Sequence, residues 1–187
     1  MGAGLDRYRQ LTERTDPKDP LVAEEIRKGI RHTYGITDVH DHLPRLRAAA
    51  RGNVLEIGVR FGSSTAALLA GVEENGGHVW GVDTEDCGHL FAGHSQWTFH
   101  KADSRQLVHL LTWDFDLLFV DGDHSYEGVL SDLNNFGPRA KVVMCHDASE
   151  TENPQTMRAI EHYYLSGTCR QKSLEILPES HGFAILQ

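Results

Sequence analysis

The stretch whose reading decides the fold is Val54-Leu-Glu-Ile-Gly-Val-Arg-Phe-Gly-Ser-Ser-Thr-Ala-Ala-Leu-Leu-Ala70. Val54 to Ile57 has the length and β-branched content of a buried strand. Gly58 and Gly62 follow, then the hydroxyls of Ser63, Ser64 and Thr65 stand where a helix would begin. Ala66 to Ala70 are strong helix formers. A strand that turns through glycines into a helix brings free backbone N–H groups close to a ligand. The spacing is not that of the G-x-G-x-x-G dinucleotide turn, because Arg60 stands at the second glycine position. A plain strand-to-helix turn would fit the glycines too. Glu56 favours a ligand site, since a carboxylate in an apolar strand is costly to bury without a partner.

Outward from this turn the chain alternates strands with helical stretches. His78 to Asp83 reads as a second strand and Trp97 to His100 as a third. Asp83 ends its strand about 25 residues after Gly58, the spacing at which an acid reaches ribose hydroxyls. It could equally start a turn. Asp103 and Ser104 are placed to cap a helix over 105–111, at a strand's carboxyl end where open α/β sheets bind ligands. Phe115 to Val120 is the clearest buried strand and runs into Asp121-Gly-Asp-His-Ser-Tyr126, then a helix to about Phe136. Ala140 to Cys145 is a fifth strand ending in His146-Asp147. Asn153 to Leu165 reads as a helix, and 172–177 with Phe183 to Leu186 as a terminal hairpin.

Two neighbouring strand ends therefore each present an acid, Asp121 and Asp147. Converging carboxylates repel unless a proton or a cation lies between them, and Mg²⁺ with oxygen ligands is the economical answer. His124, three residues after Asp121, supplies a group that titrates near neutrality, suited to acid–base work. The other account is a helix cap and an ordinary ion pair.

At 187 residues one domain with a sizeable core is expected. The net charge of −9 argues against a nucleic-acid partner. No apolar run approaches membrane-spanning length, and the start lacks the apolar core of a secretory signal. Three cysteines without paired metal spacing fit reduced thiols in a cytoplasm. Residues 1–20 read as a mobile arm, 21–30 as a helix, and His40-Asp-His42 as a solvated segment before a helix that ends at Ala50.

Together, Leu55-Glu-Ile-Gly58, Gly62-Ser-Ser64, Gly81-Val-Asp83, Phe119 to Glu127 and His146-Asp147 resemble the class I S-adenosylmethionine-dependent methyltransferases. More narrowly, they resemble small-molecule O-methyltransferases of the macrocin O-methyltransferase and cephalosporin-hydroxylase-like group. The resemblance spans residues 52–148 and implies a Rossmann-like, seven-stranded, mostly parallel sheet of order 3-2-1-4-5-7-6. Helices would cover both faces and an antiparallel hairpin would end the chain. It implies a cap or a substrate- or oligomer-contacting region over 1–50, and an S-adenosylmethionine-binding domain over 51–187. Glu56, Gly58, Gly62 and Ser63 would line the methionine and sugar part of the cofactor, Asp83 the ribose and Asp103 the adenine side. Asp121 would border the cofactor and, with Asp147, bind Mg²⁺ or another divalent cation. A third ligand would come from Glu85, Asp123 or Glu150. His124 would be the general base toward a hydroxylated small molecule. The competing readings are an NAD(P)-dependent oxidoreductase, a non-catalytic nucleotide-binding module, and methyl transfer to nitrogen or carbon.

Overall fold

The Val54–Ile57 run lies within strand β1 (Gly52–Ile57) of a computed structural model that describes residues 2–187. Helix α1 (Ala3–Glu13), helix α2 (Pro20–Arg27) and helix α3 (Leu43–Ala49) precede it. After it come α4 (Ser63–Asn75), β2 (Gly77–Asp83), β3 (Trp97–Lys101), β4 (Phe115–Val120) and α5 (Tyr126–Phe136). The chain ends with β5 (Ala140–His146), α6 (Pro154–Leu165), β6 (Leu174–Leu177) and β7 (Phe183–Leu186). One sheet of order β3-β2-β1-β4-β5-β7-β6 contains all seven strands. The first five are mutually parallel, and β7 runs antiparallel between β5 and β6. This is the expected Rossmann-like topology.

The period of two along the central strands sorts the core into two layers. Val54, Leu117 and Phe119 join α4, α1 and α3 on one face, while Leu55, Ile57, Leu118 and Val120 meet α5 and α6 on the other. Helix α4 is buried continuously from Ser63 to Val72, because α1 and α3 cover its outer side. That explains its lack of a polar face.

The chain leaves β1 for β2 on one side and reaches β4 on the other, so a crevice opens at the carboxyl ends of β1 and β4. Asp121 N donates to Ile57 O at 2.8 Å there, and a Cβ on Gly58 would lie 2.1 Å from Asp121 O. Gly58, at φ 95°, is thus required by close approach as well as by its backbone.

Three expectations are corrected. The supposed arm contains α1, held because Tyr8 and Leu11 are buried and Glu73 of α4 accepts from Gly4 N and Leu5 N at 3.0 and 2.9 Å. The solvated reading of 40–42 fails as well. His42 is fully buried, stacked on Phe183 at 4.3 Å, and bonded through Nε2 to Glu179 O at 2.8 Å. Third, the helix expected over 105–111 is a single 3₁₀ turn, Ser104–Leu107. Its cap is present, Asp103 accepting from Arg105 N, but the two buried leucines Leu107 and Leu111 are too short an apolar stripe for a longer helix.

Candidate active site

Two adjoining cavities open at the strand ends. The first, about 380 Å³, is lined by Gly58, Asp83, Asp103, Asp121 and Asp132, with Arg60 and Arg105. The second, about 260 Å³, is lined by Asp38, Val39, Ser63, Ser64, His124 and Asp147, and shares Gly58, Arg60 and Asp121 with the first. Gly62 and Glu56 line neither.

Glu56 instead lies fully buried beneath the turn, accepting from Ser64 Oγ at 2.6 Å and Thr65 Oγ1 at 2.7 Å. It fastens the first turn of α4 to β1 from below. Burial pushes its carboxyl up to about 8, outweighing the two hydroxyl donors. The folded state therefore holds a proton that the unfolded chain releases near 4.5, and stability falls as pH rises from there through about 8. Glu56→Gln, which keeps the shape and lets the hydroxyls reverse, should flatten that slope. The variant is expected to match the parent near pH 5 and exceed it at pH 9 by on the order of 4 kcal/mol. Urea unfolding across that range checks this, and parallel curves for the two proteins would refute it.

Asp83 Oδ2 accepts from Val59 N and Arg60 N at 2.8 and 2.9 Å, and Oδ1 from Glu85 N at 2.9 Å. The acid at the end of β2 thus pins the glycine turn at the end of β1. Asp103 lines the same cavity and is paired with Arg105. Deeper in, Asp132 of α5 accepts from Ser104 Oγ at 2.5 Å, and burial pushes its carboxyl up to about 6.

The chemistry gathers around Asp121, at the end of β4. Asp123 accepts from Ser125 N, and Ser125 caps α5 by accepting from Gly128 N. Those caps fix the turn that carries His124. Its Nε2 lies 3.5 Å from Asp121 Oδ1 and 3.2 Å from Asp147 Oδ2. Among the described residues, Asp121, His124 and Asp147 form the one group with ligand atoms all within 4.8 Å of one another. The two carboxylates within that span suit a divalent cation, and the His124 imidazole stands beside them. Glu85, Asp123 and Glu150 are not in the group.

Sequence reasoning missed two members of this cluster. His146 Nδ1 lies 3.3 Å from Asp121 Oδ1 and 3.5 Å from Asp147 Oδ2, while its Nε2 bonds Ser180 O at 2.9 Å. Strand alternation would send His146 and Asp147 to opposite faces. Asp147 departs from that pattern at φ 56°, and both side chains lie at the Asp121 cluster. Asn153, just before α6, donates from Nδ2 to Asp147 Oδ1 at 2.8 Å.

These contacts set the charges. The hydrogen bond to Asp121 raises His124 above its ordinary value against the effect of burial, and Asp147 adds to it. Burial pulls His146 down, but Asp121 and Asp147 outweigh it and push it up to about 10. Asp121 is held low by both histidines in spite of its burial. The acids and the imidazoles thus neutralise one another at the floor of the second cavity.

The fold is similar to that of the TDP-rhamnose 3′-O-methyltransferase of calicheamicin biosynthesis, with TM-score 0.59 and 17% identity over 98% of this chain and 92% of that one. A second similar structure is the methyltransferase of the mycinamycin pathway, solved with Mg, S-adenosylhomocysteine (SAH) and mycinamycin VI. There the TM-score is 0.60 at 15% identity, over 91% of this chain and 55% of that one, so this chain spans about half that protein's length. An O-methyltransferase from Bacillus cereus in complex with SAH gives TM-score 0.64 at 16% identity, covering 97% and 96% of the two chains. At these identities the likeness is one of fold. No curated protein matches the chain. Residues 55–148, half of the sequence and the part from β1 through Asp147, match the methyltransferase domain family, and the chain belongs to that family.

Proposed function

We propose that the chain is an S-adenosylmethionine-dependent O-methyltransferase that uses a divalent cation to methylate a hydroxyl of a small molecule. The observation that carries this reading is Asp121, which borders both cavities and sits beside His124 and Asp147. A cofactor held in the first cavity, between Asp83, Asp103 and Gly58, would turn its reactive end toward that cluster. The similar structures support the assignment, two of them being O-methyltransferases and two holding SAH, one of these with Mg.

When bound, the cofactor supplies an electrophilic methyl group, and a cation on Asp121 and Asp147 would offset their charge and acidify a neighbouring hydroxyl. Once a cation offsets the two carboxylates that keep it protonated, His124 Nε2 at their edge would be free to take the hydroxyl's proton, while the methyl group passes from sulfur to oxygen and SAH leaves. His146 and Asn153 hold the two carboxylates in place from behind. The remaining task is alignment, which the caps on the His124 turn and the fixed Gly58 approach provide. Residues 1–50 serve as a cap on the domain formed by 51–187, with Ile30, Asp38 and Val39 closing the second cavity. The net charge of −9 favours a small acceptor over a nucleic acid. Free cysteines, two of them buried, suit a cytoplasmic setting. Among the described residues no helix is long and apolar enough to cross a membrane.

The test is a screen of hydroxylated small molecules that follows SAH release, run with Mg²⁺ and with EDTA. Turnover that needs the cation is expected, and His124→Ala should slow it by roughly 10²–10⁴-fold. Full activity in EDTA would reject the cation's role, and an unslowed His124→Ala would reject the base.

A further inference from the structure

Thr156, in the first turn of α6, is 2% exposed, a buried hydroxyl on a helix whose propensity it does not favour. A helical threonine often returns its hydroxyl to a carbonyl oxygen one turn back. Thr156 Oγ1 instead donates to His124 O at 3.2 Å, 32 residues away in the chain. Its neighbour Gln155 accepts from Tyr126 N through Oε1, also at 3.2 Å. The two bonds bracket Ser125 and grip the turn just past His124 from outside. Further along the helix, His162 Nδ1 pairs with the Tyr126 hydroxyl, and the Arg158 guanidinium lies over the Tyr126 ring at 5.4 Å.

The start of the same helix reaches the other strand end. Asn153 Nδ2 donates to Asp147 Oδ1 at 2.8 Å, which leaves Oδ2 as the atom 3.2 Å from His124 Nε2. One end of α6 therefore holds both partners, the backbone that carries His124 and the carboxylate that faces its ring. The His124 side chain is 44% exposed, so burial alone does not fix it. Its aim comes from a backbone held on two sides. The caps of Asp123 and Ser125 hold the turn from within, and Thr156 and Gln155 hold it from across the groove between α5 and α6.

We propose that the first turn of α6 sets the position of His124 relative to Asp147, with Thr156 as the positioning residue, its hydroxyl aiming Nε2 by holding the His124 carbonyl. This rests on the reading of His124 as general base and deepens it, by assigning the accuracy of proton transfer to a residue that lines neither cavity. A misplacement of about 1 Å costs on the order of 10²-fold in rate. The rival account is a packing contact between α5 and α6 that supports the fold and has no bearing on the base.

Thr156→Val keeps the shape and removes the hydroxyl, and Thr156→Ser keeps the hydroxyl. With the best acceptor from the screen above, Thr156→Val is expected to lower kcat by about tenfold while KM for the acceptor and calorimetric SAH affinity stay within about twofold. Thr156→Ser should recover kcat to within about threefold of the parent. In a His124→Ala background Thr156→Val should cost nothing further, because it acts through that residue. In the ligand-free protein, the His124 imidazole resonances, assigned by their loss in His124→Ala, should move in Thr156→Val and return in Thr156→Ser. If Thr156→Val does not fold, Gln155→Ala carries the test at an exposed position. It should slow the parent by about threefold and the His124→Ala background not at all. A Thr156→Val protein with the parent's kcat, or a slowing that persists in full without His124, overturns the inference while the methyltransferase reading stands. A parent that releases no SAH with any compound of the screen, or that His124→Ala does not slow, overturns the base reading and the inference with it.

Discussion

Asp121→Ala is expected to abolish cation-dependent methyl transfer, with kcat falling by at least roughly 10²–10³-fold, the usual cost of removing a preorganised electrostatic group. Asp121 carries this weight because it is shared. It borders both cavities, meets Nε2 of His124 and Nδ1 of His146, and is tied through its own backbone N–H to the end of β1. Alanine would also leave the buried His146 with only Asp147 opposite its Nδ1, so some loss of stability is expected with the loss of rate. Asp121→Asn separates the two effects, since it keeps the volume and one acceptor oxygen while removing the charge. Its rate should fall nearly as far as that of the alanine variant, with SAH still bound. A folded Asp121→Asn protein turning over at the parent rate would sink the assignment of Asp121 to the reaction.

The second large effect lies away from the chemistry. Arg31→Leu is expected to destabilise the protein by about 3–5 kcal/mol, the range for stripping one partner from a buried ion pair. The Arg31 side chain has no exposure, and Glu25, its carboxylate partner, is only 7% exposed. Its remaining N–H groups donate to the carbonyl oxygens of Arg14, Gly35 and Gln10 at 2.7, 2.8 and 3.0 Å. One guanidinium therefore closes the end of α1 onto the loop after α2. Leucine would leave those oxygens and Glu25 buried without their donor, apart from the Arg7 pair on Glu25. Lysine would rescue poorly, because a point charge cannot span the fork of acceptors. Thermal unfolding should show a drop in Tm of about 10 °C, on the basis of about 2–4 °C per kcal/mol for a chain of this size. A change under about 1 kcal/mol would mean that the network is not a structural staple. Because Ile30 directly precedes Arg31, and Asp38 and Val39 lie on the loop that follows it, all three lining the second cavity, the same variant should loosen the wall of the site.

Much of this architecture is legible in residues close together in the chain. Val54 to Ile57 and Phe115 to Val120 carry enough apolar content to be read as buried strands, and each is followed at once by the residues that matter, Gly58 and Asp121. His124 and Asp147 could be picked out because they too sit just past strand ends, where open α/β sheets present their ligands. What escaped the sequence depends on contacts made from far away. Helix α1 looks like a polar arm until Glu73, nearly seventy residues on, caps its first turn. His42 looks solvated until the terminal hairpin lays Phe183 and Glu179 against it. His146 is hidden because strand alternation sends it and Asp147 to opposite faces, whereas Asp147 turns left-handed and the two stand side by side in the cluster. Glu56 is the instructive middle case. The sequence marks it as an acid in need of a partner, and the partners are the hydroxyls of Ser64 and Thr65, so it builds the turn and lies outside the cavities.

The central claim is that this crevice holds an S-adenosyl cofactor. Calorimetric titration of the purified protein with SAH and, separately, with NADH addresses it directly. Saturable binding of SAH, weakened when Asp83 is replaced by alanine, together with no heat from NADH, is the predicted result. Tight binding of NADH with no response to SAH would contradict it.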